Sequence, residues 1–306
     1  MNRQKTGERP KVTSGDPIVW RGLTAAEVRQ QYDMRVAVPD GERFTRRRVA
    51  RSVPIRSTHP GARDVRYGAG PRQTLDIYDA ADGRTDGPIV MFFHGGAWRY
   101  QSKEGFAFLA PPLTRTGATV VLPGFDLHPD VTVPQMMDQA REAIAWVART
   151  LNPEGTRRLV VSGHSSGAQL AAMALAWNFE AMDLRYSPVD SALLISGSYD
   201  MEPHRHHPRY ADLGLDEDMV LYVSPAANPP LDSLMPLVLA VGAEETPGYV
   251  RQTLAFRDKC VSRGHPVLVL QSAGDHHYSV VEQLAEADHP MTRALIDLAH
   301  GGPLKT

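Results

Sequence analysis

The sequence predicts an α/β fold: a mostly parallel central sheet with helices on both faces. Three observations carry this. From about residue 88 onward, strand-like and helix-like segments alternate. The strand-like runs, such as Pro88–Phe93 and Pro236–Val241, are apolar throughout, as strands buried on both faces must be. At one junction the β-favouring residues Leu159, Val160 and Val161 run into Gly163-His164-Ser165-Ser166-Gly167, and an alanine-rich helical pattern follows at once.

In chain order, residues 1 to about 20 are rich in Arg, Lys, Thr, Gly and Pro and are expected to be mobile. Thr24 followed by Glu27 has capping-box spacing and starts a short helix ending near Tyr32. The basic stretch from Arg43 to Arg56 reads as a surface strand or loop rather than a phosphate site, since Phe44 is the only aromatic among its arginines. A hairpin is expected from Val65–Tyr67 and Leu75–Tyr78 around the turn Gly68-Ala69-Gly70-Pro71. After the Pro88–Phe93 strand come a helix near 103–116, a strand at Thr119–Leu122 and a helix near 133–151. That last helix has Met136, Met137, Ala140, Ala143, Ile144 and Val147 on one face. Beyond the Gly163–Gly167 junction come a helix near 167–178, a strand at Ala192–Ile195 and an irregular stretch over 199–224. The Pro236–Val241 strand, a helix near 248–263, a strand at Val267–Leu270 and a last helix around 289–300 complete the chain. The economical division is an N-terminal arm or cap over 1–60 and one α/β domain over 61–306, with 199–224 as an insertion.

A chain of 306 residues can bury a sizeable core. Lys and Arg number 33 against 35 Asp and Glu, a net charge of −2 that gives no reason to expect nucleic acid or a membrane as partner. No apolar run approaches membrane-span length, and the polar Met1–Lys5 start leads into no signal-like segment, so a cytoplasmic location is expected. The single cysteine, Cys260, excludes an internal disulfide framework and reads as a structural thiol in a helix. The oligomeric state is open, a homo-oligomer included.

A Gly-x-Ser-x-Gly pentapeptide alone arises by chance in about one chain in ten of this length. Its setting between strand and helix makes Ser165 a candidate nucleophile, on a tight turn whose glycines remove clashing Cβ atoms. Serine needs an imidazole to take its proton and a carboxylate to orient that imidazole. After the elbow, the next strand-end carboxylates are Glu244 and Glu245, and after the following strand come His276 and His277. The order Ser, acid, His, each at the C-terminal end of a strand, is that of an α/β-hydrolase. Oxyanion donors are expected from the amides of Gly95 and Gly96, after the Phe93 strand, and of Ser166.

The segments His94-Gly95-Gly96-Ala97-Trp98, Ser102-Lys103, Gln135–Gln139, Gly163–Met173, Ser196–Pro203 and Glu245-Thr246-Pro247 with Arg251-Gln252 together resemble the serine-dependent kynurenine formamidase (arylformamidase) branch of the α/β-hydrolases. The resemblance covers roughly 90–285, and hormone-sensitive-lipase-like esterases share most of these motifs. It implies an α/β-hydrolase fold with a small insertion and N-terminal cap. It also selects Glu245, which precedes Thr-Pro, over Glu244, and His277, which precedes Tyr-Ser, over His276. Two departures stand out: Glu replaces the common Asp, and the His204–Tyr210 segment is more basic than the family's lid pattern. That segment reads as a polar lid over the site mouth rather than a metal site, because no Cys, Asp or Glu joins its histidines at ligand spacing.

Trp98, Tyr278 and His164 are the candidate substrate-binding residues, and plain core roles for the two aromatics compete with this. The expected activity is hydrolysis, through an acyl-enzyme on Ser165, of the amide of an N-formyl arylamine, with no metal or other cofactor and a small, aromatic substrate as partner. The alternatives are a carboxylesterase on small aryl or short-acyl esters and, in a different class, a non-catalytic binding protein on the same scaffold.

Overall fold

The computed structural model describes residues 17–184, 187–232 and 234–304. The expectation of mobility for the N-terminus lies outside the described residues up to residue 16; beyond it, β1 (Ile18–Trp20) and β2 (Leu23–Thr24) form a small antiparallel ribbon. Thr24 caps α1 (Ala25–Tyr32) with the expected reciprocal box to Glu27. A short α2 (Met34–Ala37), capped by Asp33, follows.

The stretch from Arg43 to Arg56 is not a strand or loop: it lies in α3 (Gly41–Thr58). Arginine is a good helix former, and the Glu42–Arg46 pair at 3.4 Å has the spacing that supports a helix. Phe44, Arg48 and Ser52, four residues apart, form its buried face. Two of the three are polar, so the face gives little hydrophobic periodicity.

The hairpin β3 (Val65–Arg66) and β4 (Thr74–Tyr78) leads to β5 (Ile89–Phe93). The helix expected near 103–116 is instead a 3-10 turn over Lys103–Leu109 followed by α4 (Ala110–Thr114), a break that Gly105 and the Pro111-Pro112 pair explain. Then come β6 (Thr119–Pro123), α5 (Val133–Leu151), β7 (Leu159–His164), α6 (Ser166–Leu175) and β8 (Ser191–Ile195). The 199–224 insertion is more ordered than expected: α7 (Glu202–Arg205), a 3-10 turn over Pro208–Leu213 and α8 (Glu217–Val223). The chain closes with β9 (Leu237–Gly242), α9 (Pro247–Ser262), β10 (Val267–Ser272) and α10 (Pro290–Ala299).

The main sheet has eight strands in the order β10-β9-β8-β7-β5-β6-β4-β3, parallel except where β4 meets β6 and β3 meets β4. Side chains alternate between its faces. Met91, Phe93, Val161, Leu194 and Leu239 pack with residues of α5, α6 and α9, including Phe256 and Cys260. Val90, Phe92, Val160, Leu193 and Val238 pack on the other side against Phe106, Leu113 and Leu295. Cys260 is buried, and burial pushes its thiol up to about 12, so it stays protonated and inert. From β5 the chain goes outward one way to β6 and the other way to β7, so the crevice between β5 and β7 is a topological switch point, where loops of such sheets leave room for a ligand.

α3 is tied to the sheet by charge. Asp76 on β4 is fully buried and accepts from Arg56 Nε at 2.8 Å and from Lys103 Nζ at 2.7 Å, while Lys103 also reaches Asp64 at 2.6 Å. Removing one member of such a group leaves buried charge uncompensated. Asp76→Asn should therefore cost about 3–5 kcal/mol of stability, read as a lowered urea midpoint; an unchanged midpoint would show that the cluster contributes nothing.

Candidate active site

β7 ends at His164 and α6 begins at Ser166, so Ser165 is the single residue turning between them, with φ 57° and ψ −123°, a region that L-residues rarely occupy. The turn is held from both sides: the Ser165 amide donates to the Ile195 carbonyl at 2.9 Å, and the Ser165 carbonyl accepts from the Gln169 amide at 3.1 Å. Gly167 is obligatory here, since a Cβ on it would stand 2.2 Å from the Phe93 carbonyl oxygen. Ser166 is the first residue of α6, so its amide has no acceptor within the helix.

His277 Nε2 lies 2.9 Å from Ser165 Oγ, and its Nδ1 lies 2.7 Å from Glu245 Oε2. All three are buried, and the Glu245 carboxylate is wholly shielded. Its other oxygen accepts from the Gly242 amide at 3.0 Å and from the Ser196 hydroxyl. Ser196, which opens the Ser196–Pro203 segment of the family resemblance but receives no role from the sequence, lies just past β8 with φ 49°. Glu244 is exposed. His276 packs edge-on to Phe44 at 4.6 Å, and its Nδ1 accepts from the Tyr278 and Ser279 amides. The geometry thus joins Glu245 and His277 to Ser165 and leaves their neighbours outside.

Ser165 and His277 open into a cavity of about 910 Å³ whose wall includes Tyr32, Tyr210, Tyr249 and Tyr278, while Glu245 stays behind them. Gly96 and Ala97 face this cavity, whereas Gly95 is buried against the elbow, where a Cβ would sit 2.7 Å from the His164 carbonyl. Ala97, part of the His94–Trp98 motif but given no role from the sequence, is therefore a wall residue, and its φ of 53° is unusual for a non-glycine. Trp98, expected to wall the substrate, does not line the cavity: it is buried, and its indole N–H donates to Gln169 Oε1 at 3.0 Å. His164 does reach the cavity, but its Nε2 is engaged with the His277 carbonyl at 2.9 Å, so it holds the loop carrying His277. Burial, with His277 nearby, keeps its pKa well below the usual range, so it is the neutral ring that donates.

The histidines of the 204–210 segment do not form a polar lid. His204 is fully buried among the rings of Trp98, Tyr32 and Tyr210, His206 pairs with Glu202, and His207 accepts from the Arg209 amide. Arg209 and Tyr210 are the members of this segment on the cavity wall. Among the described residues no cluster of three or more His, Cys, Asp or Glu is arranged to hold a metal, and no helix is long and apolar enough to cross a membrane.

The N-terminal helices roof the cavity. The Tyr278 ring presses on the start of α3, so closely that a Cβ on Gly41 would fall 2.5 Å from it. Thr246, next to Glu245, donates its hydroxyl to the Gln31 carbonyl of α1 at 2.7 Å.

Buried neutral histidines also set an acid limit. Burial depresses His94 to about 4 and His204 to about 3, both well under the value near 6.5 of an unfolded chain. Their contribution is complete above pH ~6.5 and is lost as pH falls toward the folded values, because the unfolded state takes up protons first. Between pH ~6.5 and ~5 the two together should remove on the order of 3 kcal/mol, seen by comparing urea unfolding at the two pH values; equal stability would contradict neutral burial.

Residues 90–286 match the family model of the alpha/beta hydrolase fold. Kynurenine formamidase of Danio rerio is 31% identical over 242 residues, covering 77% of this chain and 80% of the relative. Among solved structures, a protein of Silicibacter sp. tm1040 superposes with a TM-score of 0.74 at 21% identity, covering 88% of this chain and 97% of that one. An esterase of Pyrobaculum calidifontis superposes at 0.60 with 20% identity, covering 85% and 90%. The chain belongs to the α/β-hydrolase family, as a hydrolytic enzyme of its formamidase and esterase group and a homologue of the kynurenine formamidases.

Proposed function

We propose that the protein is a serine hydrolase that cleaves the amide bond of N-formyl arylamines through an acyl-enzyme on Ser165. The observation that carries this is the chain of hydrogen bonds from Glu245 through His277 to Ser165 Oγ, ending in a tyrosine-lined cavity. On this reading Ser165 Oγ attacks the formyl carbon while His277 Nε2 takes its proton, and Glu245 fixes the ring's tautomer and stabilises its charged form. The amides of Gly96, Ala97 and Ser166 are the donors proposed for the oxyanion, with Gly95 needed for clearance behind them. The amine leaves with the proton from His277, and water admitted by the same base releases formate from Ser165.

The tyrosines suit an aromatic leaving group, because rings pack edge-on or offset against one another with gain beyond simple burial. Tyr278 belongs to this wall; Trp98 supports it from behind. Residues 17 to about 60 act as a cap whose helices close the cavity from above. The homology to kynurenine formamidase favours N-formylkynurenine as the compound to try first. An esterase reading stays alongside, because ester and formamide pass through the same kind of tetrahedral intermediate and esterases share the fold.

Ser165→Ala is expected to lower kcat by at least about 10⁴-fold with little change in folding. His276→Ala and Glu244→Ala should each cost less than about tenfold, far less than the same change at His277 or Glu245; comparable losses at the neighbours would reassign the base and the acid. Comparing kcat/KM for N-formylkynurenine and p-nitrophenyl acetate tests the bond: a strong preference for the ester would replace the formamidase reading with the esterase one.

A further inference from the structure

We propose that Arg48 anchors a carboxylate on the substrate, so that the enzyme selects aromatic substrates bearing an anionic group away from the bond that is cut. This deepens the hydrolase reading of Ser165 and rests on it. The first support is charge balance. The cavity wall carries Arg35, Arg43, Arg46, Arg48 and Arg209 against only two carboxylates, Asp40 and Glu42. Those two are paired one-to-one, Asp40 with Arg43 at 3.0 Å and Glu42 with Arg46 at 3.4 Å. Behind the wall, Asp33 is shared by Arg35 and Arg209, each at 3.1 Å. Glu282 is shared in the same way by Arg47, in close contact, and Arg48, at 3.9 Å. Six guanidiniums thus face four carboxylates around one cavity.

Within that surplus Arg48 is the least compensated. It is 1% exposed, yet its hydrogen bonds go to neutral acceptors: the Tyr278 carbonyl at 3.0 Å, Thr45 Oγ1 at 3.2 Å and Gln101 Oε1 at 3.4 Å. Arg35 and Arg209, by contrast, each have a carboxylate within direct hydrogen-bond reach. A guanidinium has five N–H donors in a planar fork that fits a carboxylate, so donors remain beyond these three bonds. Burial pulls the Arg48 pKa down to about 10, with Glu282 opposing the shift; the group is charged at neutral pH but incompletely solvated, the situation an incoming anion relieves. Its partner carbonyl belongs to Tyr278, adjacent to the base His277, so an anion held by Arg48 lies within one small aromatic substrate's span of the reacting bond.

The test uses two matched pairs at low salt: 4-acetoxybenzoate against 4-acetoxybenzamide, and 4-formamidobenzoate against 4-formamidobenzamide. The wild type is expected to prefer the anionic member in kcat/KM by about tenfold or more. Arg48→Gln should cut the anionic substrate's kcat/KM by about 10–100-fold while moving the neutral one less than about threefold. A purely structural Arg48 would lower both members equally, and that result overturns the proposal, as does a wild type indifferent to charge. Loss of the preference in Arg209→Gln but not in Arg48→Gln overturns the assignment to Arg48. Should Arg48→Gln fail to fold, wild-type inhibition by benzoate against benzamide decides: tighter binding of benzoate supports the anchor, and equal binding removes it. Cleavage of the esters without the formanilides would fail the formamidase reading alone, since the charge preference is still read on the ester pair.

Discussion

The turn at Ser165 is the constraint on which the rest of the site depends. A residue at φ 57° between a buried strand and a helix is unfavourable in isolation and persists because its surroundings over-determine it. β8 supplies the carbonyl that holds its amide, and the β5 end crowds Gly167 until no side chain fits. The same two strands carry other parts of the site: β8 runs on into Ser196, which holds Glu245, and β5 runs on into Gly96 and Ala97. Stabilising the turn and placing the chemistry are therefore one act of sheet assembly.

Around this turn, hydrogen bonds run outward in successive shells. His277 touches Ser165; Glu245 and His164 hold His277 by its ring and its carbonyl; Ser196 and the Gly242 amide hold Glu245. Each outer member is buried, so water competes little for these bonds and the low dielectric strengthens them. The neutral state of His164 belongs to this logic. A charged ring 4.8 Å from His277 would oppose the positive charge that His277 must acquire in the proposed role of base.

Legibility in the sequence followed the range of the interaction. The elbow, the capping box at Thr24 and the apolar strands are local patterns, and they are found where their residues predict. The choice of Glu245 and His277 over their neighbours came from resemblance, because spacing alone left both pairs open. What escaped were features set by distant partners. α3 hides because its inward face is Phe44, Arg48 and Ser52, two of them polar and satisfied by residues far along the chain. Trp98 is drawn from the cavity by Gln169, 71 residues away. His204 turns inward because Trp98, Tyr32 and Tyr210 form a ring-lined recess that no local pattern announces.

The hydrogen bond from Thr246 to the Gln31 carbonyl joins the roof of the cavity to the loop that carries Glu245. A roof hinged only at its own ends can swing aside without disturbing what lies beneath. Here an outward excursion of α1 cannot leave Thr246, the residue beside Glu245, in place unless this bond breaks.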